Sequence, residues 1–120
     1  MDFFDSSGLS VAYCEDHVHI FLYRGEPVAY FEGDCVYSYS GGHLGWRHEG
    51  WIIDHDGNYY LFSDQAAGGL VKPATQRTPP KGPMERLPEK QIRQFEPLRP
   101  PTSSNWSKLS AKEFFELEQS

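Results

Sequence analysis

The chain has 120 residues, of which 38% are hydrophobic and 15% aromatic, and its formal net charge is −6. This length allows one small domain, and no apolar run is long enough to span a bilayer, so no membrane partner is expected. The acidic start at residues 1–5 does not have the pattern of a secretion signal, so the expected location is cytoplasmic.

Four short motifs with glycine at the same place follow one another in the first half of the chain. Their glycines stand at steps of 17, 16 and 16 residues: Gly8, Gly25, Gly41 and Gly57. Each is second in a pair such as Asp56-Gly57, which is typical of the two-residue type I′ turn of a β-hairpin. The sequence therefore predicts four tandem hairpins, with strands near 3–6 and 10–15, 19–23 and 27–32, 35–39 and 43–48, and 51–55 and 59–63.

The register of each hairpin follows from counting outward from a two-residue turn. The predicted pairs nearest the turn are Phe4 with Val11, Phe21 with Val28, Tyr37 with Leu44, and Ile53 with Tyr60. The pairs one step further out are Phe3 with Ala12, Ile20 with Ala29, Val36 with Gly45, and Ile52 with Leu61. A lone hairpin is barely stable in water, so the four must pack together, with close approach predicted at the small residues Ala12, Ala29 and Gly45. An aromatic ring comes next in each repeat: Tyr13, Tyr30, Trp46 and Phe62.

The repeats resemble the four-fold β-flower proteins, in which four hairpin petals surround a pseudo-four-fold axis. The resemblance is carried by Gly-Glu-Pro-Val-Ala-Tyr at 25–30, Gly-Gly-His-Leu-Gly-Trp at 41–46 and Asp-His-Asp-Gly-Asn at 54–58. It covers residues 1–72 and extends more loosely to the tail that follows. It implies an all-β fold of four hairpins around this axis and brings no settled activity.

The composition changes from Ala66 onward. Residues 72–101 contain eight prolines, a density that favours an extended path over a continuous helix, with one short helical turn considered at 88–95. The predicted organisation is a hairpin-repeat domain at 1–70, a Pro-rich basic arm or linker at 71–105, and a helical segment at 106–120. A flexible linker and an arm lying on the domain surface are both compatible with this composition.

The last segment has a helix start signal. Ser110 and Glu113 form a capping box, which predicts a helix from Ala111 to about Glu118. Eight residues are marginal as an isolated helix, so it has to dock on a protein surface. The predicted protein-interaction residues are the apolar ones available there: Trp106, Leu109, Phe114 and Leu117.

The two halves of the chain differ in charge. Residues 1–71 carry eleven acidic and two basic side chains, whereas residues 72–101 carry seven basic and three acidic ones. An acidic β domain repels a phosphate backbone, so no nucleic acid partner is expected. The charge difference instead favours a tail that docks on its own β domain. In the alternative, the terminal helix enters a groove of another protein, whose identity the sequence does not give.

No catalytic, cofactor-binding or metal-binding residue is predicted. The segment 54–58 begins like a calcium loop but lacks the later bidentate glutamate, so a hairpin turn is the better interpretation. His17 and His19 would share a strand face, but no spacing selects a third metal ligand. The chain also has no Gly-x-Ser-x-Gly nucleophile motif. Cys14 and Cys35 are predicted to be free thiols.

These observations favour a non-enzymatic protein-interaction or scaffold module. The acidic residues that recur with the repeats are interpreted as solvated links between hairpins: Glu15, Glu32, Glu49 and Asp64. The alternative is a small-ligand or metal-binding protein or an enzyme, with His17, His19 or Glu49 converging on the pseudo-four-fold axis.

Overall fold

A computed structural model describes residues 1–117 of the chain. Eight antiparallel strands form a closed barrel in sequence order, with the last strand paired to the first. The elements are β1 Asp2–Phe4, β2 Ser10–Cys14, β3 His19–Leu22, β4 Pro27–Glu32, β5 Cys35–Tyr37, β6 His43–His48, β7 Trp51–Ile53, β8 Tyr59–Ser63 and α1 Ala111–Phe114. The predicted all-β fold of four hairpins is confirmed, although the odd-numbered strands end one or two residues earlier than expected.

The hairpin turns are of a different type from the one predicted. In the first hairpin the amide of Gly8 donates to the carbonyl of Asp5, and the amide of Asp5 donates to that of Leu9, both at 2.9 Å. The loop therefore has three residues rather than two. Gly8 has a φ of 78°, whereas Ser7 is not among the residues with positive φ. Since a type I′ turn needs positive φ at both central positions, the type I′ prediction is wrong.

The longer loop changes the register beside it. The four pairs predicted one step out from the turn are confirmed: Phe3 with Ala12, Ile20 with Ala29, Val36 with Gly45, and Ile52 with Leu61. The four pairs predicted nearest the turn are wrong, and the observed ones are Phe4 with Ser10, Phe21 with Pro27, Tyr37 with His43, and Ile53 with Tyr59. One residue of each second strand is left as a β-bulge, and its side chain packs in or against the core: Val11, Val28, Leu44 and Tyr60.

The barrel interior is a single apolar cluster to which all eight strands contribute. Away from the bulges, its side chains alternate with outward-facing ones along each strand, as the two-residue period of a strand requires. Ala12 and Ala29, predicted as points of close approach, are both fully buried at 0% exposure. At the turn end of the barrel, Phe114 and Phe115 complete this cluster and are 3% and 2% exposed.

The terminal helix begins as predicted, because the Ser110 hydroxyl accepts from the Glu113 amide and the Glu113 carboxylate accepts from the Ser110 amide. It ends at Phe114, earlier than predicted, and Glu118 lies outside the described residues. Residues 71–109 form no helix, so the helical turn considered at 88–95 is wrong. Their backbone instead makes hydrogen bonds to the hairpin turns. Within residues 1–117, no helix has the length and apolar character needed to cross a membrane.

Candidate binding site at the third hairpin junction

The aromatic ring that recurs in each repeat faces outward at the junction with the next hairpin. We call the cluster of rings around it a socket and number the sockets in chain order. In socket 1, the ring centroid of Tyr13 lies 5.6 Å from Phe21 and 5.3 Å from Tyr23. Socket 2 repeats this arrangement, with Tyr30 at 6.0 Å from Tyr37 and 5.4 Å from Tyr39.

Sockets 3 and 4 have other ring types around the recurrent aromatic residue. In socket 3, Trp46 lies 4.8 Å from His43 and 5.8 Å from His55. In socket 4, Phe62 lies 5.5 Å from Phe4 and 5.8 Å from Trp51. The central rings of the four sockets therefore occupy equivalent positions, whereas the rings around them differ in sockets 3 and 4.

The tail passes the four hairpin turns in order, one turn for every nine residues. At each turn a tail amide donates to the carbonyl of the turn glycine, over distances of 2.8–2.9 Å: Gln76 to Gly8, Glu85 to Gly25, Gln94 to Gly41, and Ser103 to Gly57. Two residues before each donor, a tail carbonyl oxygen occupies the place that a Cβ on that glycine would need: Ala74, Pro83, Ile92 and Pro101. Glycine at the turn thus allows both the positive φ and the close approach of the tail.

Cationic side chains of the tail lie over the socket rings. The Nζ of Lys81 is 4.3 Å from the Tyr13 centroid, and the Nζ of Lys90 is 4.4 Å from that of Tyr30. The guanidinium carbon of Arg99 is 5.9 Å from the Trp46 centroid. In socket 4 an aromatic ring takes this role, with Trp106 at 6.1 Å from Phe62. A cation over an aromatic face is attracted by the ring quadrupole, so three of the sockets hold the tail partly through this interaction.

This arrangement was not predicted, although the sequence contains a signal for it. Prolines recur at nine-residue steps at 79, 88 and 97, and basic residues recur with the same step at 81, 90, 99 and 108. Proline density predicts an extended chain, but only the spacing predicts that the chain meets four equivalent sites in turn.

Socket 3 contains a histidine pair. The Nδ1 of His43 lies 2.9 Å from the Nε2 of His55, and the two rings are stacked with centroids 5.2 Å apart. The amide of His43 donates to the Oε1 of Gln94 at 2.9 Å, which ties the tail to this socket. His43 is only 3% exposed. Burial and then the neighbouring His55 lower the pKa of His43 to about 4, although Glu96 acts in the opposite direction, so this imidazole is neutral at pH 7.

A cavity of about 320 Å³ opens beside this histidine pair. Its lining consists of His43, Trp46, His55, Gln94, Phe95, Pro97 and Leu98. The Trp46 indole donates to the Oε2 of Glu96 at 3.0 Å. This hydrogen bond and one from Cys35 lower the pKa of Glu96, so its carboxylate is ionised at neutral pH. The cavity therefore has aromatic and apolar walls and an anionic group bonded to one of them.

Three apolar side chains of the tail stand out from the surface next to this cavity. Ile92 is 95% exposed, Phe95 is 100% exposed and Leu98 is 97% exposed, and we call them the apolar ridge. Their backbone is nevertheless held, because Gln91 and Gln94 donate to the carbonyls of Tyr39 and Gly41 at 2.9 and 2.8 Å. These three residues were not among the predicted interaction residues, because their exposure depends on where the backbone is hydrogen-bonded.

The four interaction residues predicted from the sequence differ in how far they are buried. Trp106 is half-buried and packs in the cluster around Trp51 and Phe62, whereas Leu109 is exposed. Phe114 is buried in the barrel core, and Leu117 packs against it. The structure brings Phe114 and Leu117 together with Phe115, which the sequence analysis missed. Whether any of the four binds a partner stays a prediction.

The other candidate residues lie apart from socket 3. His17 is exposed, and the Nδ1 of His19 lies 2.6 Å from Asp16. Glu49 is exposed beside His48, at 3.8 Å. Among residues 1–117, no three His, Cys, Asp or Glu side chains are grouped so that they could hold a metal ion.

The segment 54–58 forms the fourth hairpin turn, as predicted. The Oδ1 of Asp54 accepts from the amides of Asp56 and Asn58, both at 2.9 Å. A cavity of about 730 Å³ lies between this turn and the tail, lined by polar residues that include Asn105 and Lys108. The Asp54 carboxylate already accepts hydrogen bonds from two backbone amides, so the turn is sufficient to explain why an aspartate stands at this position.

Two of the recurrent acidic residues meet the tail. Glu15 lies 3.0 Å from the Nζ of Lys81, and Glu32 lies 3.7 Å from the guanidinium of Arg93. Cys14 and Cys35 are free thiols, as predicted, and both are buried. Burial and the nearby Glu96 raise the pKa of Cys35 to about 11, which keeps it a protonated and unreactive thiol.

The comparisons with known proteins are consistent with this architecture. The model of a family described as 4-fold beta flower protein matches residues 1–115, which include the tail and the terminal helix as well as the barrel. No curated protein matches the chain, and no solved structure does.

Proposed function

The chain belongs to the 4-fold beta flower family, and from this premise we propose that it is a non-catalytic protein-interaction module. The barrel serves as a rigid scaffold, and the tail wrapped around its turns carries the contact surface. The tail stays docked in solution as part of the module.

The observation that carries this proposal is the apolar ridge. Ile92, Phe95 and Leu98 are almost entirely exposed, although the backbone between them is hydrogen-bonded to the third hairpin. Several almost fully exposed large apolar side chains within seven residues of one segment suit a protein-protein interface. A backbone that is already held loses little conformational entropy when a partner covers its side chains.

The experiment is affinity capture from a lysate of the source organism with three forms of the full chain. One is unchanged, and one carries Ile92→Ser, Phe95→Ser and Leu98→Ser. The matched control carries Val71→Ser, Met84→Ser and Leu87→Ser, which are exposed apolar residues elsewhere in the same tail. We expect the unchanged chain and the control to retain the same partner and the ridge variant to lose it. Equal recovery by all three forms contradicts the proposal.

The alternative of a small-ligand site, metal site or active centre on the pseudo-four-fold axis has less support. The side chains in the barrel interior are apolar, both aliphatic and aromatic, and Ile20, Ile52 and Leu61 are all 0% exposed. Deep concavities with converging polar groups are what such a site needs. The interaction module is therefore the function that this geometry favours.

The proposed location of the module is the cytoplasm. Two buried free thiols suit a reducing compartment. Fractionation of cells that express the tagged full chain tests this, and recovery in a membrane or secreted fraction contradicts it.

A further inference from the structure

Sockets 1 and 2 show what this surface binds. Each holds a lysine ammonium over a tyrosine ring, with Lys81 at 4.3 Å from Tyr13 and Lys90 at 4.4 Å from Tyr30. Lys81 also reaches the carboxylate of Glu15 at 3.0 Å. An aromatic face combined with a nearby carboxylate is a general solution for binding an organic cation.

Socket 3 has the strongest ring for this purpose and the least closely seated internal cation. Tryptophan attracts a cation better than tyrosine, yet Arg99 lies 5.9 Å from the Trp46 centroid, near the outer limit of about 6 Å for such contacts. Two residues after the ring, where socket 1 has Glu15, socket 3 has His48. Arg99 is therefore seated differently from Lys81.

The tail supplies a carboxylate to socket 3 from another direction. Glu96 accepts from the Trp46 indole at 3.0 Å and is ionised at neutral pH. At the equivalent places of the neighbouring tail repeats, nine residues away, stand Leu87 and Asn105. Of these three tail repeats, the one at socket 3 is thus the one with an acidic residue at this position.

The cavity of about 320 Å³ adjoins these features, with Trp46 in its lining and Glu96 outside it, bonded to the Trp46 indole. Rings of Trp46, His43, His55 and Phe95 contribute to its walls. His43 is neutral at pH 7 and so does not repel a cation. Phe95 lines the cavity and is 100% exposed.

We propose that this cavity binds an organic cation presented by a protein partner, namely a lysine side chain and preferentially an N-methylated one. The inference rests on the proposed interaction function and names the chemistry that the partner supplies. Methylation favours binding because a methylated ammonium keeps its charge but is less strongly hydrated, so it enters an aromatic cavity more readily. The apolar ridge then covers the backbone on either side of the inserted side chain.

The test uses small probes on the full chain, so that it does not depend on the partner. The probes are Nα-acetyl-Nε-trimethyl-lysine amide, Nα-acetyl-lysine amide, and the neutral analogue in which a tert-butyl group replaces the trimethylammonium group. Binding is followed by NMR titration of the Trp46 indole N–H. We expect saturable shifts with the trimethylated probe and an affinity about tenfold higher than that of the neutral analogue. Equal binding of the charged and neutral probes overturns the proposal.

Two pairs of variants locate the site. Phe95→Ala removes a side chain that lines the cavity, and Glu96→Gln removes the charge that is bonded to the Trp46 indole. Both residues are exposed, so the fold is retained. Their matched controls are Ile92→Ala, an exposed ridge residue outside the cavity lining, and Glu89→Gln, an exposed carboxylate earlier in the tail. We expect each test variant to weaken trimethylated-probe binding about tenfold and each control to leave it unchanged. Unchanged binding in both test variants overturns the proposal.

Failure of this inference is distinguishable from failure of the proposed function. If partner capture needs the apolar ridge but the trimethylated probe does not bind, only the cation site is wrong. If the probe binds and the ridge variant still captures the same proteins as the unchanged chain, only the ridge as interface is wrong.

Discussion

Phe114 stacks on Tyr60, with ring centroids 4.4 Å apart and an interplanar angle of 24°. Tyr60 is the bulged residue of the fourth hairpin, and Phe114 belongs to the last helix of the chain. The end of the tail therefore forms part of the barrel core. This relationship gives the tail an apolar anchor, which exposed ion pairs worth about 0–1 kcal/mol each would not provide.

Truncation after Pro101 should consequently destabilise the barrel. It removes Trp106, Phe114 and Phe115, whose side chains cover apolar surface at the fourth hairpin and at the turn end of the barrel. We expect a lower melting midpoint and faster hydrogen exchange of strand amides. If the truncated chain melts and exchanges like the full chain, the tail is a free recognition segment.

A point substitution tests the same anchor in the full-length chain. Phe114→Ala removes a side chain that is 3% exposed and should lower the free energy of unfolding by about 3 kcal/mol. Leu109→Ala, at a residue that is 39% exposed, is the control and should change it by less than about 1 kcal/mol. Chemical denaturation of both variants measures the difference, and equal effects contradict a buried anchor.

Gly8→Ala should lower the free energy of unfolding by more than backbone strain alone explains. Gly8 and Gly33 have φ angles of 78° and 59°, so alanine is strained at both by about 1–2 kcal/mol. At Gly33 the added methyl group meets open space, but at Gly8 it overlaps the backbone of Ala74. We expect Gly8→Ala to be the more destabilising and to increase the exchange rate of the Gln76 amide. Equal losses of stability would mean that the tail does not press on this turn in solution.

Ala29→Leu should overpack the barrel centre. Ala29 pairs with Ile20 and is 0% exposed, so three additional heavy atoms have no space there, at a cost of roughly 1–3 kcal/mol. Ala67→Leu, at an exposed position, is the control. Thermal melting compares the two, and an unchanged midpoint for Ala29→Leu contradicts the inward orientation of this residue.

His43 should make stability depend on pH in the mildly acidic range. Its pKa is about 4 in the folded chain against an ordinary value of 6.5, so between these values the unfolded chain binds a proton that the folded chain does not. Stability from this group is fully present above pH 6.5 and is lost as the pH falls towards 4, by roughly 3 kcal/mol in total. The titratable groups around it are His55 and Glu96.

The measurement for His43 is the melting midpoint between pH 7 and 4. We expect the slope to flatten in His43→Gln and to persist in His17→Gln, at an exposed histidine. An NMR titration of the His43 ring with a midpoint near 6.5 would contradict the prediction directly.

The strands and the core were predictable because their signals are local. Ala12, Ala29 and the residues that pair with them recur at fixed distances from each turn glycine, and the two-residue period of a strand then assigns them to one face. The turn type was not predictable, because an x-Gly pair fits both a two-residue loop and the end of a three-residue loop. That one additional residue shifts the adjacent pair and directs the bulged side chain inward.

Socket 3 was less predictable because it is made by residues far apart in the chain. His43 and His55 stand in neighbouring hairpins, and Gln94 and Phe95 come from the tail. Hydrophobic periodicity identifies elements that bury a face, whereas an extended segment buries only selected side chains and leaves Phe95 in water. The nine-residue spacing was available in the sequence, but only the closed barrel shows what it is matched to.

The nine-residue step of the tail has a consequence for how this architecture can change in size. Each hairpin of the barrel takes 16 or 17 residues, and the tail takes nine residues to pass from one hairpin turn to the next. The four hairpins are therefore matched by two repeats of different length on one chain. A fifth hairpin inserted before residue 70 would leave one turn without its tail amide unless nine residues were also added to the tail. The number of hairpins can therefore change only if the number of nine-residue tail repeats changes with it.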